Sequence, residues 1–161
     1  MALLFLKSSP ALDLLGITTV LGNASIETTT RNALFLRQHF DIAAPVARGA
    51  DRPLNGIIEA VPHMVHGANG LGDIPLPEID HSGLHALDAS RFIIETVRAN
   101  PGEVTIIAVG RMTNLALALR LDPDFAPLVK SVVIMGGAFG HGGHSGNVTP
   151  IAEANIHGDP H

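Results

Sequence analysis

Apolar positions along the chain fall into short blocks separated by polar, glycine-rich or proline-rich stretches. The opening run Met1 to Leu6 breaks at Lys7 and reads as the tail of a buried helix. A core helix normally opens on a Ser, Thr, Asp or Asn cap, so its first part is expected to be absent. Asp13 to Val20 is short and rich in β-branched residues, which suits a buried parallel strand, and Gly22-Asn23 punctuates its carboxyl end. Ser25 then caps a helix to about His39, whose broad, partly apolar face carries Ile26, Thr29, Thr30, Ala33, Leu34 and Leu36; Pro45 prevents its continuation. Val46 and Ala47 form a second, weaker strand signal. Positions 49–84 are rich in Gly, Pro and Asp without periodicity, which predicts a long loop of the kind that usually serves function.

The second half repeats the alternation. Leu87, Phe92, Ile93 and Val97 mark a helix from about His85 to Ala99, closed by Pro101-Gly102, and Val104 to Val109 is a strong strand. Thr113 or Asn114 is expected to cap a helix over Leu115 to Arg120. A short helix from Pro123 to Leu128 leads into a buried strand at Ser131 to Met135. Strands alternating with helices predict an α/β fold with a doubly wound, mostly parallel sheet and right-handed crossovers. Residues 1–161 read as a single domain without repeat or linker.

Composition narrows the function classes. With 161 residues, 46% of them hydrophobic, the chain is globular and has a sizeable core. A net charge of −5 and the lack of any Lys/Arg run argue against nucleic acid or an anionic membrane as partner, and favour a neutral small ligand. Zero cysteines exclude disulfides and thiol catalysis and are compatible with a cytoplasmic location. The first six residues lack a basic flank and are too few for a signal peptide or a membrane span.

The segment after Met135 carries the most chemistry. Glycines at 136, 137, 140, 142, 143 and 146 allow tight turns and close backbone approach, and Asn147, Glu153 and Asn155 follow, side chains that grip hydroxyls. Ligands of open α/β sheets sit beyond the carboxyl ends of strands, so this order suggests a site for a polyhydroxylated small molecule. A glycine-rich surface loop with ordinary polar residues is the competing reading. In an extended chain Glu153 and Asn155 share one face and form a convergent grip. Rejection of a ligand lacking the matching hydroxyl would follow, because the buried partners would be unpaired.

Generic motifs fail when tested. No Gly-x-x-x-x-Gly-Lys occurs, Ser145 stands where a dinucleotide fingerprint needs its third glycine, and Ser82 lacks the strand-to-helix context of a nucleophile elbow. Nine histidines, among them His141, His144, His157 and His161, lack regular metal-ligand spacing. His63 and His66 have helix-like spacing but lie between Pro62 and Gly67, so a regular helix is not expected there; read by itself, His66 is a loop histidine bonded to backbone.

Six pieces, in one order, resemble the inosine/uridine-preferring nucleoside hydrolases, which cleave the N-glycosidic bond of nucleosides. They are positions 14–23, 30–33, 49–54, the His-Gly-Ala-Asn-Gly-Leu-Gly run at 66–72, positions 109–119, and 132–160 with its Gly-Asn-Val-Thr-Pro-Ile-Ala-Glu-Ala-Asn-Ile-His-Gly-Asp-Pro. The resemblance implies a Rossmann-like sheet, a bound calcium ion and a metal-held water activated by an aspartate. It makes Asn23, Asn147, Glu153 and Asn155 ribose-binding residues, with Met135 packing near the sugar. The Val109 carbonyl becomes a backbone metal ligand, and His66 is similar to a position near the nucleobase. For Thr113-Asn114 a helix cap remains the preferred role.

The departures from the family pattern are as informative. Family members open with a strand ending in Asp-x-Asp-x-x-x-Asp-Asp, which supplies the general base and metal carboxylates, and the match here begins directly after it. A further His-Asp pair lies in the family beyond the match to Asp159-Pro160. No catalytic residue is therefore assigned, calcium is expected to bind weakly or not at all, and the chain reads as a nucleoside hydrolase fold truncated at both ends. A homo-oligomer and a nucleoside ligand in purine or pyrimidine salvage are the implied partners. A non-catalytic ribose-binding remnant and a gene fragment are the alternatives, and uncovered strand edges predict marginal stability or self-association.

Overall fold

The computed structural model describes residues 1–58, 63–138 and 146–160. In chain order it contains α1 (Ala2–Ser8), β1 (Ile17–Thr18), α2 (Ile26–His39), β2 (Val46–Ala47), α3 (His63–His66), α4 (Ala89–Ala99), β3 (Thr105–Ala108), α5 (Thr113–Leu121), a 3₁₀ helix (Pro123–Leu128), β4 (Ser131–Ile134) and α6 (Ala154–Gly158). The architecture is α/β with parallel strands, as the alternation predicts. Helix α2 starts where expected, because Ser25 Oγ accepts the Thr28 N–H at 3.3 Å and Glu27 sits in the positive first turn. Helix α4 starts later than expected, at Ala89, where the Asp88 carboxylate accepts the N–H groups of Ser90 and Arg91, each at 3.0 Å.

The strands form two parallel pairs. Ile17 and Thr18 of β1 face Val46 and Ala47 of β2, and Thr105 to Ala108 of β3 run in register with Ser131 to Ile134 of β4. Among the described residues the pairs do not share a hydrogen-bonded ladder. Each has its own apolar core. Ala33, Leu34 and Val46 close the first, with Leu34 and Val46 at 1% and 0% exposure. Ile93, Val97, Ala118 and Phe125 close the second, where α4, α5 and the 3₁₀ helix meet.

Several expectations are corrected. The strand expected over Asp13 to Val20 shrinks to Ile17–Thr18, only partly buried. Helix α1 is not a core helix: none of its residues is buried and Phe5 is exposed. The strand at Ser131 is exposed at all four positions, because burial on both faces requires layers above and below that the described residues do not supply to β4. Within the long loop His63–His66 forms one helical turn, and Leu84 makes a parallel bridge to Val46. His141, His144, His161 and glycines 140, 142 and 143 lie outside the described residues.

Candidate functional site

Asn23 follows β1, Val109 follows β3 directly and Met135 follows β4 directly, so all three lie past the carboxyl ends of parallel strands. A cavity of about 340 Å³ opens there, lined by Asn23, Val109, Arg111, Val148, Asn155 and His157 among others. A more open depression of about 510 Å³ lies beside Arg48, Asp51, His85 and Asp88. There Arg48 is paired with Glu27 and Asp88 with Arg91, and none of the polar cluster after Met135 reaches it. The smaller cavity is therefore the candidate site.

Helix α6 brings Asn155 to the wall. It has five residues, too few to be stable alone, and is held by bonds at its start. Glu153 is its N-cap: Oε1 accepts the Asn155 N–H at 2.8 Å, and Oε2 accepts those of Gly137 at 2.8 Å and Ile156 at 3.2 Å. Asn147 Oδ1 accepts the Ala154 N–H at 2.9 Å. Gly146 passes beneath this turn, where a Cβ would lie 1.8 Å from the Ala152 carbonyl oxygen. The extended grip expected of Glu153 and Asn155 is thus corrected. Asn155 is helical and Glu153 binds its backbone, because a carboxylate one residue ahead of bare helical N–H groups satisfies them at once.

The Asn155 amide turns back toward the strand ends. Its Nδ2 donates to the Met135 carbonyl at 2.9 Å and, at a long 3.4 Å, to that of Val109. Asn23 and Asn155, far apart in sequence, therefore share one cavity with Val109. Met135, Asn147, Glu153 and His66 are not among its lining residues. His66 ends α3, and its carbonyl accepts the Gly72 N–H at 2.8 Å. Burial works to raise the Glu153 carboxyl, but the three backbone N–H bonds outweigh it and hold it below the ordinary carboxylate value, so the cap is anionic at neutral pH.

Thr113 and Asn114 do not cap α5. Its N-cap is Met112, without a side-chain bond. Thr113 Oγ1 donates to Asp159 at 2.5 Å; Asn114 Nδ2 donates to the Thr19 carbonyl at 2.8 Å, and its Oδ1 accepts the Ala50 N–H at 2.9 Å. Tertiary partners win over the cap because both residues are buried between the two halves of the fold. Sequence reasoning gave no site role to Arg111, or to His157 beyond its weighing as a metal ligand, yet both line the cavity; the available signal was Arg111's position just past the β3 strand. Among the described residues no group of three or more His, Asp or Glu could hold a metal ion.

The family model for inosine-uridine preferring nucleoside hydrolase matches residues 1–161. The chain belongs to this family. Uridine nucleosidase 1 of Arabidopsis thaliana is 49% identical over 161 residues, covering 99% of this chain and 47% of the relative. The pyrimidine-specific ribonucleoside hydrolase RihB of Escherichia coli O139:H28 is 38% identical, covering 99% of this chain and 49% of RihB. Among solved structures, the plant nucleoside hydrolase PpNRh1 superposes with a TM-score of 0.89 at 42% identity, covering 99% of this chain and 49% of that one. The chain thus spans about half the length of these relatives.

Proposed function

We propose that this chain furnishes the ribose-holding wall of a site where water cleaves the N-glycosidic bond of a nucleoside. The observation that carries the reading is the convergence of Asn23 and Asn155 on one cavity beyond the strand ends. Asn23 offers a carbonyl oxygen and an NH₂ group, and Asn155, whose NH₂ is turned to the Met135 and Val109 carbonyls, offers its carbonyl oxygen, a set that can both donate to and accept from sugar hydroxyls. Glu153 Oε1 accepts one backbone N–H and keeps lone-pair capacity for a hydroxyl, and the exposed Asn147 has an NH₂ that can donate. Met135 supplies an apolar surface for the sugar ring. Met135, Asn147 and Glu153 border the cavity through their bonds to Asn155 and its helix, whereas among the described residues no bond connects His66 to that group, and it is given no part in the sugar wall.

As the base departs, the ribosyl group becomes oxocarbenium-like, and hydroxyls held at fixed positions keep it aligned with the attacking water. Calcium in the family would supply a polarised water and bind sugar hydroxyls. It takes six to eight oxygen ligands, usually several carboxylates. The described residues bring no such carboxylate cluster to the cavity, and the Val109 carbonyl would be one oxygen ligand among the several needed, so they do not by themselves form a calcium seat. That observation favours a second reading, ribose binding without turnover by the 161-residue polypeptide alone. The similar proteins carry both uridine- or pyrimidine-specific and purine-preferring names, so they favour a ribonucleoside ligand of either base class, which would place the whole protein in nucleoside salvage. No helix among the described residues is long and apolar enough to cross a membrane, and the cysteine-free sequence supports a cytoplasmic setting.

Titration calorimetry with uridine and with free ribose tests the reading. Saturable binding of both is expected, and N155A or N23A should weaken each about ten-fold, the cost of one or two lost hydrogen bonds in a desolvated site. Ribose binding indifferent to both substitutions would overturn it. Uracil release, measured with and without added calcium, separates the hydrolytic reading from the binding one.

A further inference from the structure

Helix α6 is pinned at its far end as well, by a residue outside the proposed sugar contacts. Asp159 directly follows the helix and is 5% exposed. Its carboxylate accepts the Thr113 hydroxyl at 2.5 Å and the Leu54 N–H at 3.2 and 3.1 Å. Thr113, 1% exposed, begins α5 one residue ahead of Asn114, which bonds the Thr19 carbonyl after β1 and the Ala50 N–H after β2. Ser90 Oγ of α4 donates to the Asn114 carbonyl at 3.1 Å. These buried side chains tie α6 to the end of β1, whereas the two strand pairs share no ladder among the described residues.

We propose that Asp159 and Thr113 are positioning residues for the ribose site: their bond sets where Asn155 stands relative to Asn23. The inference rests on the proposed function for the ligand, but the bond itself is a property of the fold. A five-residue helix has no stable position of its own, so its ends define it. Glu153 and Asn147 fix the start relative to the Gly137 turn, a local matter. The Asp159 end reaches across, through the Leu54 N–H, to the half of the molecule that carries Asn23. A carboxylate accepting a hydroxyl and a backbone N–H while buried is a strong, directional tie, and removing the hydroxyl leaves a buried oxygen with only the longer Leu54 N–H bond. Asp159 is buried and is not among the residues that line the cavity, which separates its role from that of a sugar contact.

The test compares T113V with T113S in the 161-residue chain, reading amide hydrogen exchange of residues 154–158 and the ribose dissociation constant. T113V removes the hydroxyl at nearly constant volume; T113S restores it. In T113V, exchange in α6 is expected to accelerate about ten-fold and ribose binding to weaken about ten-fold, while α2 and α4 keep their protection and T113S stays close to the parent. Unchanged α6 exchange in T113V would overturn the tie. Faster exchange with unchanged ribose affinity would overturn the positioning role and leave a merely structural bond. If the parent itself binds no ribose, the functional reading fails and the exchange comparison still decides whether the tie exists. Should T113V fail to fold, D159N, which keeps the volume and one acceptor oxygen, carries the same comparison.

Discussion

Glu153 shows how a single residue was both found and misread. The sequence marks it as part of a polar cluster after a glycine loop, and the cluster does assemble beside the cavity. Its conformation was not legible, because a five-residue helix carries no periodicity and Glu153 caps it from an extended backbone. Thr113 and Asn114 teach the converse: residue types that cap helices elsewhere are spent on distant backbone and carboxylate partners. Ser25 was legible since its partner, Thr28, is local. The Glu153 cap gives a pH prediction. Its carboxyl is held below the ordinary glutamate value, so the ionised cap's contribution is fully present above that ordinary value and is lost as pH falls through the lowered folded one. Replacement by the uncharged E153Q should cost about 1 kcal/mol near neutral pH and almost nothing once the parent's own cap is protonated. Thermal melts of both proteins down to acidic pH check this; a constant gap would contradict it.

Elements were legible in proportion to how far their own residues decide them. Helices α2 and α4 have long apolar stripes and side-chain caps, and both stand close to where the pattern puts them, with α4 shortened at its start. Strands β1 and β4 depend on what covers them, which no local pattern encodes. The two-residue strand β2 is fully buried because Leu34 of α2 covers it. Leu34→Ala should therefore cost about 2–5 kcal/mol by denaturant unfolding, whereas Leu119→Ala, at a position 44% exposed, should fall within about 0.5 kcal/mol. Similar losses would show that the core beside β2 is not packed as described. The link after β2 is equally demanding. A Cβ on Gly49 would lie 1.9 Å from the Thr19 carbonyl oxygen and 2.4 Å from Asn114 Oδ1, and the former is backbone that cannot swing aside. Gly49→Ala should accordingly destabilise more than most surface substitutions in the same melts and loosen the Asn114 bonds to Thr19 and Ala50.

At the scale of the whole molecule, alternation of strands and helices correctly gave an α/β fold, but it could not say that the strands of the described residues stand as two separate pairs. Ladder partners belong to the assembled fold rather than to any one segment. As a 161-residue polypeptide the chain carries a consequence of that split: Val132, Val133, Ile134 and Met135 are 45, 53, 46 and 54% exposed, beside Ile107 and Val109 at 38 and 50%. Contiguous apolar strand residues with open edges attract further strands, and a net charge of −5 is a modest counterweight. The polypeptide alone is therefore expected to self-associate through this face. Sedimentation should show the average mass rising with concentration, and Val133→Lys should shift it toward the monomer without lowering the melting temperature, since Val133 contributes little burial. A monodisperse monomer at about 100 μM that unfolds cooperatively would show that the exposed strands are tolerated as they stand. An unchanged mass distribution in Val133→Lys would instead move the contact to another surface, with α1 and its exposed Phe5 next in line.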